Sequence, residues 1–404
     1  MAAGQNHLRL GIIGLGQAGA MIIDEVRAAH DLPWTIAAGA DPREHAARRC
    51  AEEFGAGYRD AEELCRSADI DAVYIASPSG MHLDHALIAA AHGKHIICEK
   101  PLTLSLDDAD TMIAAAEKAG IVLLAGHTHS FDAPIVTMTE LVRSGEVGAL
   151  RAINGWNFNE FNHRPRLMSE LEATRGPVLN QGPHHVDIVR QIGGGKVRSV
   201  RATTIPDGVT GHIGGYVAYL EFENRVPATL VYDGRSLFDT AELFGWVGEG
   251  GNLRDPHSNE RNRRSFVELM GAPDRDRDAR LERGKESGRY GGATAGQLHN
   301  APSRGERPHQ PFFGLIVVSC ENATMRQSAD GLYLYDENGR REIAVPKARG
   351  GRVAELRELH EALTQGRKPF HDGRWGLATL EVCFGILESA ATGRDVMMTR
   401  QVAD

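Results

Sequence analysis

A lysine stands at the end of a short apolar run in segment 95–101, whose sequence is HIICEKP. Proline cannot continue a central strand, so the chain must turn at Pro101 and leave Lys100 at the carboxyl end of a strand. Open α/β sheets bind their ligands at that edge. A lysine there can hold a hydroxyl or carbonyl oxygen and, with a lowered pKa, exchange a proton. In isolation Lys100 would be an ordinary surface lysine, so its meaning depends on the sequence around it.

The first forty residues carry the pattern of a nucleotide-binding strand, turn and helix. An apolar run at 8–13 precedes GLGQAG at 14–19, and apolar residues then recur at helical spacing before a second apolar run. This pattern is the dinucleotide fingerprint. Its glycines permit the tight turn, the approach of the backbone to a pyrophosphate and close helix packing. Because the helix start also supplies amide donors, we expect the whole loop to bind a dinucleotide: Gly14, Leu15, Gly16, Gln17, Ala18 and Gly19.

Asp41 and Arg43 bear on which dinucleotide binds. Asp41 follows Gly19 by 22 residues, close to where an acid holds the 2′-hydroxyl of the adenosine ribose. A carboxylate repels a 2′-phosphate, so we expect NAD. Arg43 leaves NADP open, because its guanidinium could pair with that phosphate.

Strand and helix patterns alternate to about residue 130, which predicts a parallel, doubly wound sheet. Ser77 and Pro78 fall at the carboxyl end of a predicted strand and should flank the cofactor. His82, in the first turn of the next helix, could do the same or be a plain surface histidine. Segment 99–101, which contains Glu99, Lys100 and Pro101, lies at the same edge of the predicted sheet, and we expect it to contact the cofactor as well. Ser105 with Asp108 shows a helix-capping pattern.

From residue 131 the apolar runs become longer and richer in β-branched and aromatic residues, which predicts an antiparallel sheet. Helical patterns at 183–192, 352–365 and 375–391 would cover it. The expected fold is therefore α/β plus α+β, with a Rossmann domain at 1–130 and an open, mostly antiparallel sheet with helices at 131–404. Residues 250–311 are dominated by Arg, Asp, Glu, Gly and Asn, and we expect them to form a long, charged surface excursion.

Composition limits the classes of protein that the chain can represent. A length of 404 residues favours two domains, and a net charge of −9 argues against a nucleic-acid-binding surface. Five scattered cysteines without a Cys-x-x-Cys pair indicate reduced thiols. No basic-then-apolar leader precedes the first strand, and no apolar run approaches the ~20 residues of a membrane span. We expect a cytoplasmic protein with a small-molecule substrate and with neither nucleic acid nor membrane as a partner.

Together these motifs resemble the glucose–fructose oxidoreductase and inositol dehydrogenase family, usually written Gfo/Idh/MocA. The resemblance covers essentially the whole chain and rests on the glycine loop, on Ser77-Pro78 with His82, on EKP at 99–101 and on segment 176–187. EKP after the fourth strand is the most specific of these marks. The resemblance implies a Rossmann domain followed by a domain whose open sheet commonly mediates homodimers or homotetramers.

The resemblance also implies catalytic residues. In the family, a segment like GGxLLDxGxHxxD carries a catalytic aspartate and histidine, and segment 176–187 is GPVLNQGPHHVD here. His184 matches the histidine and Lys100 the catalytic lysine, whereas Asn180 replaces the usual aspartate. An amide can orient a hydroxyl but cannot take its proton. We expect His184 to be the base and Lys100 to clamp the oxygen, and the reverse assignment with Lys100 as proton acceptor stays open.

A narrower resemblance is to the cis-dihydrodiol dehydrogenases of phthalate and chlorobenzoate breakdown. It rests on GHTHSF at 126–131, NQGPH at 180–184 and QPFF at 310–313. It implies hydride transfer from a carboxylated aromatic cis-dihydrodiol to the nicotinamide, which gives a catechol. Guanidinium groups bind carboxylates bidentately, and imidazoles can line a polar cleft, so six side chains are candidates for substrate contact: Arg164, Arg166, Arg175, His127, His129 and His185.

Four other interpretations bear on these residues. His127-x-His129 on a strand would place both rings on one face and suggest a metal site, but zinc needs three or four converging ligands, and the resemblance gives no reason for a metal, so we expect none. A sugar or cyclitol dehydrogenase remains open, with Asn180 bonded to a ring hydroxyl. An NAD-dependent glycoside hydrolase also remains open. The intact Lys100 and His184 argue against a regulator without turnover.

Overall fold

The computed structural model describes residues 7–164, 166–295, 308–347 and 351–403. The chain divides into two compact units. The first unit contains Met1–Thr128, Lys285–Leu298 and Gly351–Leu377, and the second contains His129–Gly284, His299–Gly350 and Ala378–Asp404. The sequence had suggested a single boundary near residue 130. Two later segments instead return to the first unit, because their apolar side chains pack in its core.

A parallel sheet forms the centre of the first unit. Among the described residues it has six strands: β1 (Leu8–Ile13), β2 (Trp34–Ala40), β3 (Gly57–Tyr58), β4 (Ala72–Ile75), β5 (His95–Glu99) and β6 (Leu123–Gly126). Their order is β3-β2-β1-β4-β5-β6, and each adjacent pair is parallel. The order reverses between β1 and β4, which is where ligands bind in sheets of this kind. The predicted doubly wound sheet is confirmed.

Helices pack on the faces of this sheet. Those that follow its strands are α1 (Gln17–Ala28), α2 (Glu44–Phe54), α3 (Ala61–Arg66), α4 (His82–Ala91) and α5 (Leu106–Ala119). α1 buries Ile22, Ile23 and Val26, because these side chains recur at helical spacing on one face. The predicted cap of α5 is confirmed, since the Ser105 hydroxyl accepts a hydrogen bond from the Asp108 N–H at 3.1 Å.

The second unit is built on a larger, mostly antiparallel sheet. Its described strands are β7 (Leu150–Phe158), β8 (Val197–Pro206), β9 (Ile213–Phe222), β10 (Pro227–Asp233), β11 (Leu315–Cys320), β12 (Thr324–Gln327), β13 (Gly331–Asp336), β14 (Gly339–Ala344) and β15 (Val396–Met397). The order is β14-β13-β12-β11-β7-β10-β9-β8-β15, and among these strands only β7 and β10 pair in parallel. The predicted class of fold is therefore confirmed for this unit as well.

The remaining helices are α6 (Ala133–Ser144), α7 (Met168–Ala173), α8 (Pro177–Asn180), α9 (Gly182–Gly193), α10 (Ser258–Met270), α11 (Asp274–Gly288), α12 (Arg352–Gln365) and α13 (Gly373–Thr392). α9 packs against β7 and β10, and all of its residues are buried. Of the helices in the described ranges, none combines the length and apolar content that crossing a bilayer requires.

The charged excursion at 250–311 is more ordered than its composition suggested. It contains α10 and α11, and Phe266 and Leu269 are buried on one face of α10. α11 is polar around most of its circumference and is supported by local ion pairs such as Arg277 with Asp274. The sequence missed both helices because neither has a sustained apolar period. Residues 296–307 of the excursion lie outside the described residues.

Candidate active site

The glycine loop between β1 and α1 has the shape that a pyrophosphate needs. Gly14 has a φ of +94°, and a side chain there would meet the backbone nitrogen of Ser77 at 2.7 Å. A Cβ on Gly19 would lie 2.2 Å from the carbonyl oxygen of Gly14, so α1 can approach β1 only with glycine here. A Cβ on Gly16 would meet nothing within 4 Å. The open space at Gly16, at the start of α1, therefore fits a bound phosphate group.

Asp41 follows β2 and faces the glycine loop. One oxygen of its carboxylate accepts the Leu15 N–H at 2.9 Å, and the other accepts the Arg43 N–H at 3.0 Å. The Arg43 guanidinium donates to both oxygens, at 2.8 and 3.0 Å. Burial raises the pKa of Asp41, but the bonds from Arg43 and Leu15 outweigh it and hold the pKa below its usual value. Asp41 is thus an ionised acceptor at the place where an adenosine ribose binds.

Two loops at the carboxyl edge of the sheet are joined through His82. Its ring nitrogens lie 3.0 Å from the Ser77 carbonyl oxygen and 2.9 Å from that of Pro101. The Ser77 hydroxyl contacts His85 at 2.9 Å. His82 is only 1% exposed, so it is neither the surface histidine nor the direct cofactor ligand that the sequence allowed. Its contacts fix the two loops, 77–78 and 99–101, that were predicted to flank the cofactor.

Lys100 follows β5 directly, because that strand ends at Glu99 as the sequence predicted. Glu99 is buried and forms an ion pair with Arg352 of α12, whose Nε lies 3.0 Å from the carboxylate. The Tyr74 hydroxyl lies 3.1 Å from the same Glu99 oxygen and 3.2 Å from a carboxyl oxygen of Glu355. Burial raises the pKa of Glu99, yet Arg352 and Lys100 outweigh it and keep the pKa below the usual value. Lys100 therefore stands beside an ionised, firmly held carboxylate.

This buried group of Tyr74, Glu99, Arg352 and Glu355 contains residues that sequence reasoning missed. Glu355 is 1% exposed, and burial, followed by the charge of Glu99, raises its pKa well above the usual value. The only sequence signal was an arginine and a glutamate one helical turn apart at the start of a predicted helix. Nothing in that spacing pointed to Glu99.

In the second unit, His184 lies in the first turn of α9 within a cluster of rings. Its ring meets that of His129 edge-to-face, with centroids 4.8 Å apart, and lies 5.3 Å from the ring of Phe313. His129 is held by Asp132 at 2.9 Å. Tyr232 stacks on Phe313 with centroids 6.4 Å apart. His184 is therefore packed among closely spaced aromatic rings.

Arg164 and Arg166 adjoin the same cluster through Phe161. The Arg166 guanidinium carbon lies 4.0 Å above the Phe161 ring, and that ring contacts Tyr232 with centroids 6.2 Å apart. Glu249 lies 3.7 Å from Arg164. Burial and the neighbouring Arg164 lower the pKa of Arg166 to about 10. Within the described part of the chain, the Nε atoms of both arginines are buried without a hydrogen-bond partner. The arrangement can therefore receive an anion.

Two of the predicted substrate residues, His185 and Arg175, lie in surroundings that differ from those of Arg164 and Arg166. His185 is fully buried beneath β7, and its Nδ1 lies 3.1 Å from the Tyr216 hydroxyl. Burial lowers its pKa to about 3. We therefore correct its role from substrate contact to core packing, where it stays neutral. Arg175 is exposed and has a φ of +50°, whereas Arg164 and Arg166 are half-buried.

The remaining predicted residues are His127 and Asn180. β6 ends at Gly126 and a 3₁₀ turn spans Thr128–Phe131, so His127 and His129 do not share one face of a strand, which the metal interpretation would have required. Asn180 ends α8, and its amide oxygen accepts a hydrogen bond from Gln181 at 2.8 Å. Among the described residues, no group of three or more His, Cys, Asp or Glu side chains is placed to hold a metal ion.

The first unit thus has a dinucleotide cradle with a lysine at the end of a neighbouring strand, and the second has a buried histidine among aromatic rings. A chain of this class is an NAD-dependent oxidoreductase that acts on CH–OH groups. Family models support the assignment. The oxidoreductase family model GFO_IDH_MocA, described as an NAD-binding Rossmann fold, matches residues 8–127, and the GFO/IDH/MocA C-terminal domain matches residues 135–253. The chain belongs to the Gfo/Idh/MocA family.

Individual relatives agree with this assignment. The 1-carboxy-3-chloro-3,4-dihydroxycyclohexa-1,5-diene dehydrogenase of Comamonas testosteroni is 33% identical over 94% of each chain. The myo-inositol 2-dehydrogenase of Thermotoga maritima is 28% identical over 68% of this chain and 85% of its own. A solved structure described as a dehydrogenase from Bordetella bronchiseptica RB50 is 35% identical and superposes with a TM-score of 0.85, covering 97% of this chain and all of that one.

Proposed function

We propose that the enzyme oxidises a carboxylated cyclic cis-dihydrodiol to the corresponding catechol. The observation that carries the proposal is the neighbouring pair Arg164 and Arg166, whose Nε atoms are buried without a hydrogen-bond partner among the described residues. A buried donor without an acceptor is costly, and a substrate carboxylate would accept hydrogen bonds from both guanidinium groups. The Comamonas testosteroni relative, whose name specifies a carboxylated dihydroxycyclohexadiene, supports the same class of substrate.

Each predicted catalytic side chain takes one role in this proposal. His184 removes the proton from the substrate hydroxyl, and its aromatic neighbours keep bulk water from the imidazole. Lys100 stabilises the negative charge that develops on a substrate oxygen. Asn180 orients a hydroxyl and takes no proton. Bound NAD supplies the hydride acceptor, and the cyclic enone formed tautomerises to an aromatic catechol, which makes the oxidation favourable.

A cyclitol or sugar is the second candidate substrate. The amide of Asn180 could hydrogen-bond a ring hydroxyl, and the Thermotoga maritima relative is an inositol dehydrogenase. A polyol carries no carboxylate, however, and would not supply an anionic acceptor to the buried Nε atoms of Arg164 and Arg166. We therefore rank it below the carboxylated diol.

The test is a spectrophotometric screen with NAD, following absorbance of the reduced nicotinamide. The substrates are cis-dihydrodiols of benzoate and phthalate, the matching uncarboxylated benzene diol, myo-inositol and glucose. We expect reduction with the carboxylated diols and its loss in Lys100→Ala and His184→Ala, each checked for an unchanged unfolding temperature. Reduction with polyols alone would contradict the proposal and favour the cyclitol branch.

We further propose that the enzyme is a cytoplasmic homo-oligomer that associates through the large sheet. One face of that sheet exposes Trp156, Val217 and Tyr219, and Val231 lies between Trp156 and Val217 in the strand register. Such a continuous apolar patch favours association. The five cysteines are all buried free thiols, which agrees with a reducing compartment.

A further inference from the structure

Residues 285–295 comprise the last turn of α11 and the loop that follows it, and the whole segment is called the Tyr290 loop here. It forms part of the first unit and lies against its cofactor loop. The Tyr290 N–H donates to the Leu15 carbonyl oxygen at 3.2 Å. A Cβ on Gly288 would lie 3.5 Å from the side-chain amide nitrogen of Gln17. Leu15 and Gln17 are two of the residues that cradle the dinucleotide. The loop therefore touches the cofactor site, although no sequence pattern predicted a function for these residues.

A buried anchor and internal bonds hold the loop in place. Tyr290 is 5% exposed and packs in the same apolar core as Ile22. The Arg49 guanidinium lies 5.5 Å from the centre of its ring. Ser287 accepts the Thr294 N–H at 2.8 Å, which closes the loop on itself. A loop fixed in this way can place a charged side chain reproducibly.

That charged side chain is Glu286. Its carboxylate lies 3.1 Å from Nη1 of Arg43 and also pairs with Arg289. Arg43 donates in addition to the Leu15 carbonyl oxygen, at 2.7 Å, and to both oxygens of Asp41. Four of the five N–H groups of this guanidinium are therefore engaged.

The bonds around Asp41 show why Glu286 matters. A carboxylate has about four acceptor positions, and those of Asp41 receive the Leu15 N–H, the Arg43 N–H and two donors of the Arg43 side chain. A ribose hydroxyl that donates to Asp41 must displace one of the side-chain donors. Glu286 already holds the other end of the guanidinium, so a displaced Arg43 stays paired.

We propose that the Tyr290 loop sets the preference for NAD over NADP, with Glu286 keeping Arg43 and Arg289 engaged and unavailable to a 2′-phosphate. A 2′-phosphate entering this site would lie near two carboxylates, and each guanidinium that could bind it is held by one of them. The adenosine ribose of NAD carries no such charge and needs only the acceptor of Asp41. Glu286 thus adds a second level of selection to the repulsion by Asp41.

The test measures cofactor binding and needs no substrate. Dissociation constants for NADH and NADPH are obtained by fluorescence titration of the wild type, Glu286→Gln and Glu268→Gln. Glu268 is an exposed carboxylate on α10, so the third protein controls for the loss of one negative charge. We expect Glu286→Gln to lower the ratio of the NADPH to the NADH dissociation constant by about tenfold, because a freed guanidinium can pair with the 2′-phosphate. The control should keep the wild-type ratio.

A double variant identifies the guanidinium responsible. Adding Arg43→Gln to Glu286→Gln should abolish most of the gain in NADPH affinity. A ratio in Glu286→Gln that stays within twofold of the wild-type value would overturn the proposal, and so would an equal change in Glu268→Gln. Thermal unfolding of the two single variants, which should match the wild type because Glu286 is half exposed and Glu268 is exposed, separates an altered preference from a damaged fold.

Discussion

Arg352 donates from Nε and Nη2 to a single oxygen of Glu99, the residue that precedes Lys100. Both side chains of this ion pair are about nine-tenths buried. The Tyr74 hydroxyl approaches the same oxygen and also reaches Glu355. The turn that presents Lys100 is therefore supported by an ion pair and a hydrogen-bond chain inside the first unit.

Breaking this ion pair should be costly. Arg352→Met leaves Glu99 buried without its partner, and we expect the free energy of unfolding to fall by about 3–5 kcal/mol, measured by urea denaturation. The pKa of Glu99 is lowered in the folded state, so the stability gained from pairing is present above its unfolded pKa of about 4.3 and is lost as pH falls through the folded value. The difference in the free energy of unfolding between Arg352→Met and the wild type should be larger at pH 8 than at pH 4.

Arg357→Met is the matched control on α12. Because Arg357 forms a largely exposed pair with Asp31, its substitution should change stability little.

Glu355 should carry a proton at neutral pH. Tyr74 has one hydroxyl proton, which it donates to the ionised Glu99, so its contact with Glu355 is favourable only if Glu355 donates in turn. Because the pKa of Glu355 is raised on folding, the associated stability is complete below its unfolded pKa of about 4.3 and declines as pH rises towards the folded pKa. Glu355→Gln removes that decline. We expect the glutamine variant to gain stability relative to the wild type between pH 5 and about pH 8. Glu361→Gln, on the same helix, controls for the loss of a carboxyl group, and a difference between Glu355→Gln and the wild type that does not vary with pH would exclude the protonated state.

Two alanine substitutions in the glycine loop should have different effects, one on stability and the other on cofactor binding. Gly19→Ala places a methyl group 2.2 Å from the Gly14 carbonyl oxygen, so we expect it to destabilise the fold by about 1–3 kcal/mol. Gly16→Ala meets no neighbour and has a φ of −73°, so the unfolding temperature should hardly change. NADH binding to Gly16→Ala should nevertheless weaken by about tenfold, since the backbone must approach the pyrophosphate at this position. Equal NADH affinity in the wild type and Gly16→Ala would show that the phosphates bind elsewhere.

Local features of the chain were predictable from sequence, whereas features that join distant residues were not. The glycine loop, Asp41 and the end of β5 lie within short segments whose residue types dictate the backbone path. Glu99 and Arg352 are 253 residues apart, and no local pattern pairs them. The role of Glu286 was not predicted, because this residue lies in a stretch whose composition suggested a surface excursion. The roles of His82 and His185 also depended on neighbours that only the folded chain supplies.

Arg166 should discriminate carboxylated from uncarboxylated diols. Arg166→Met retains the length of the side chain over Phe161 and removes a half-buried charge, so it should change the stability of the fold little. We expect kcat/KM for the carboxylated diol to fall about 10- to 100-fold, mainly through KM, because a charge-assisted bond is lost. The uncarboxylated diol should react at a nearly unchanged rate. Arg151→Met, at an exposed position on β7, is the control, and an equal loss with both diols in Arg166→Met would exclude carboxylate recognition by this residue.

The exposed face of the large sheet should determine the oligomeric state. Val217 and Tyr219 lie on β9 with about two-fifths of their surface exposed, and both point to the face that carries Trp156. The double variant Val217→Lys/Tyr219→Lys places two positive charges there, and burying them in an interface without partners would be unfavourable. We expect light scattering after size-exclusion chromatography to show a multiple of the chain mass for the wild type and a monomer for this variant. Leu253→Lys alters an exposed leucine away from the sheet and should keep the wild-type mass. A wild-type monomer, or a double variant that still associates, would show that this face is not the interface.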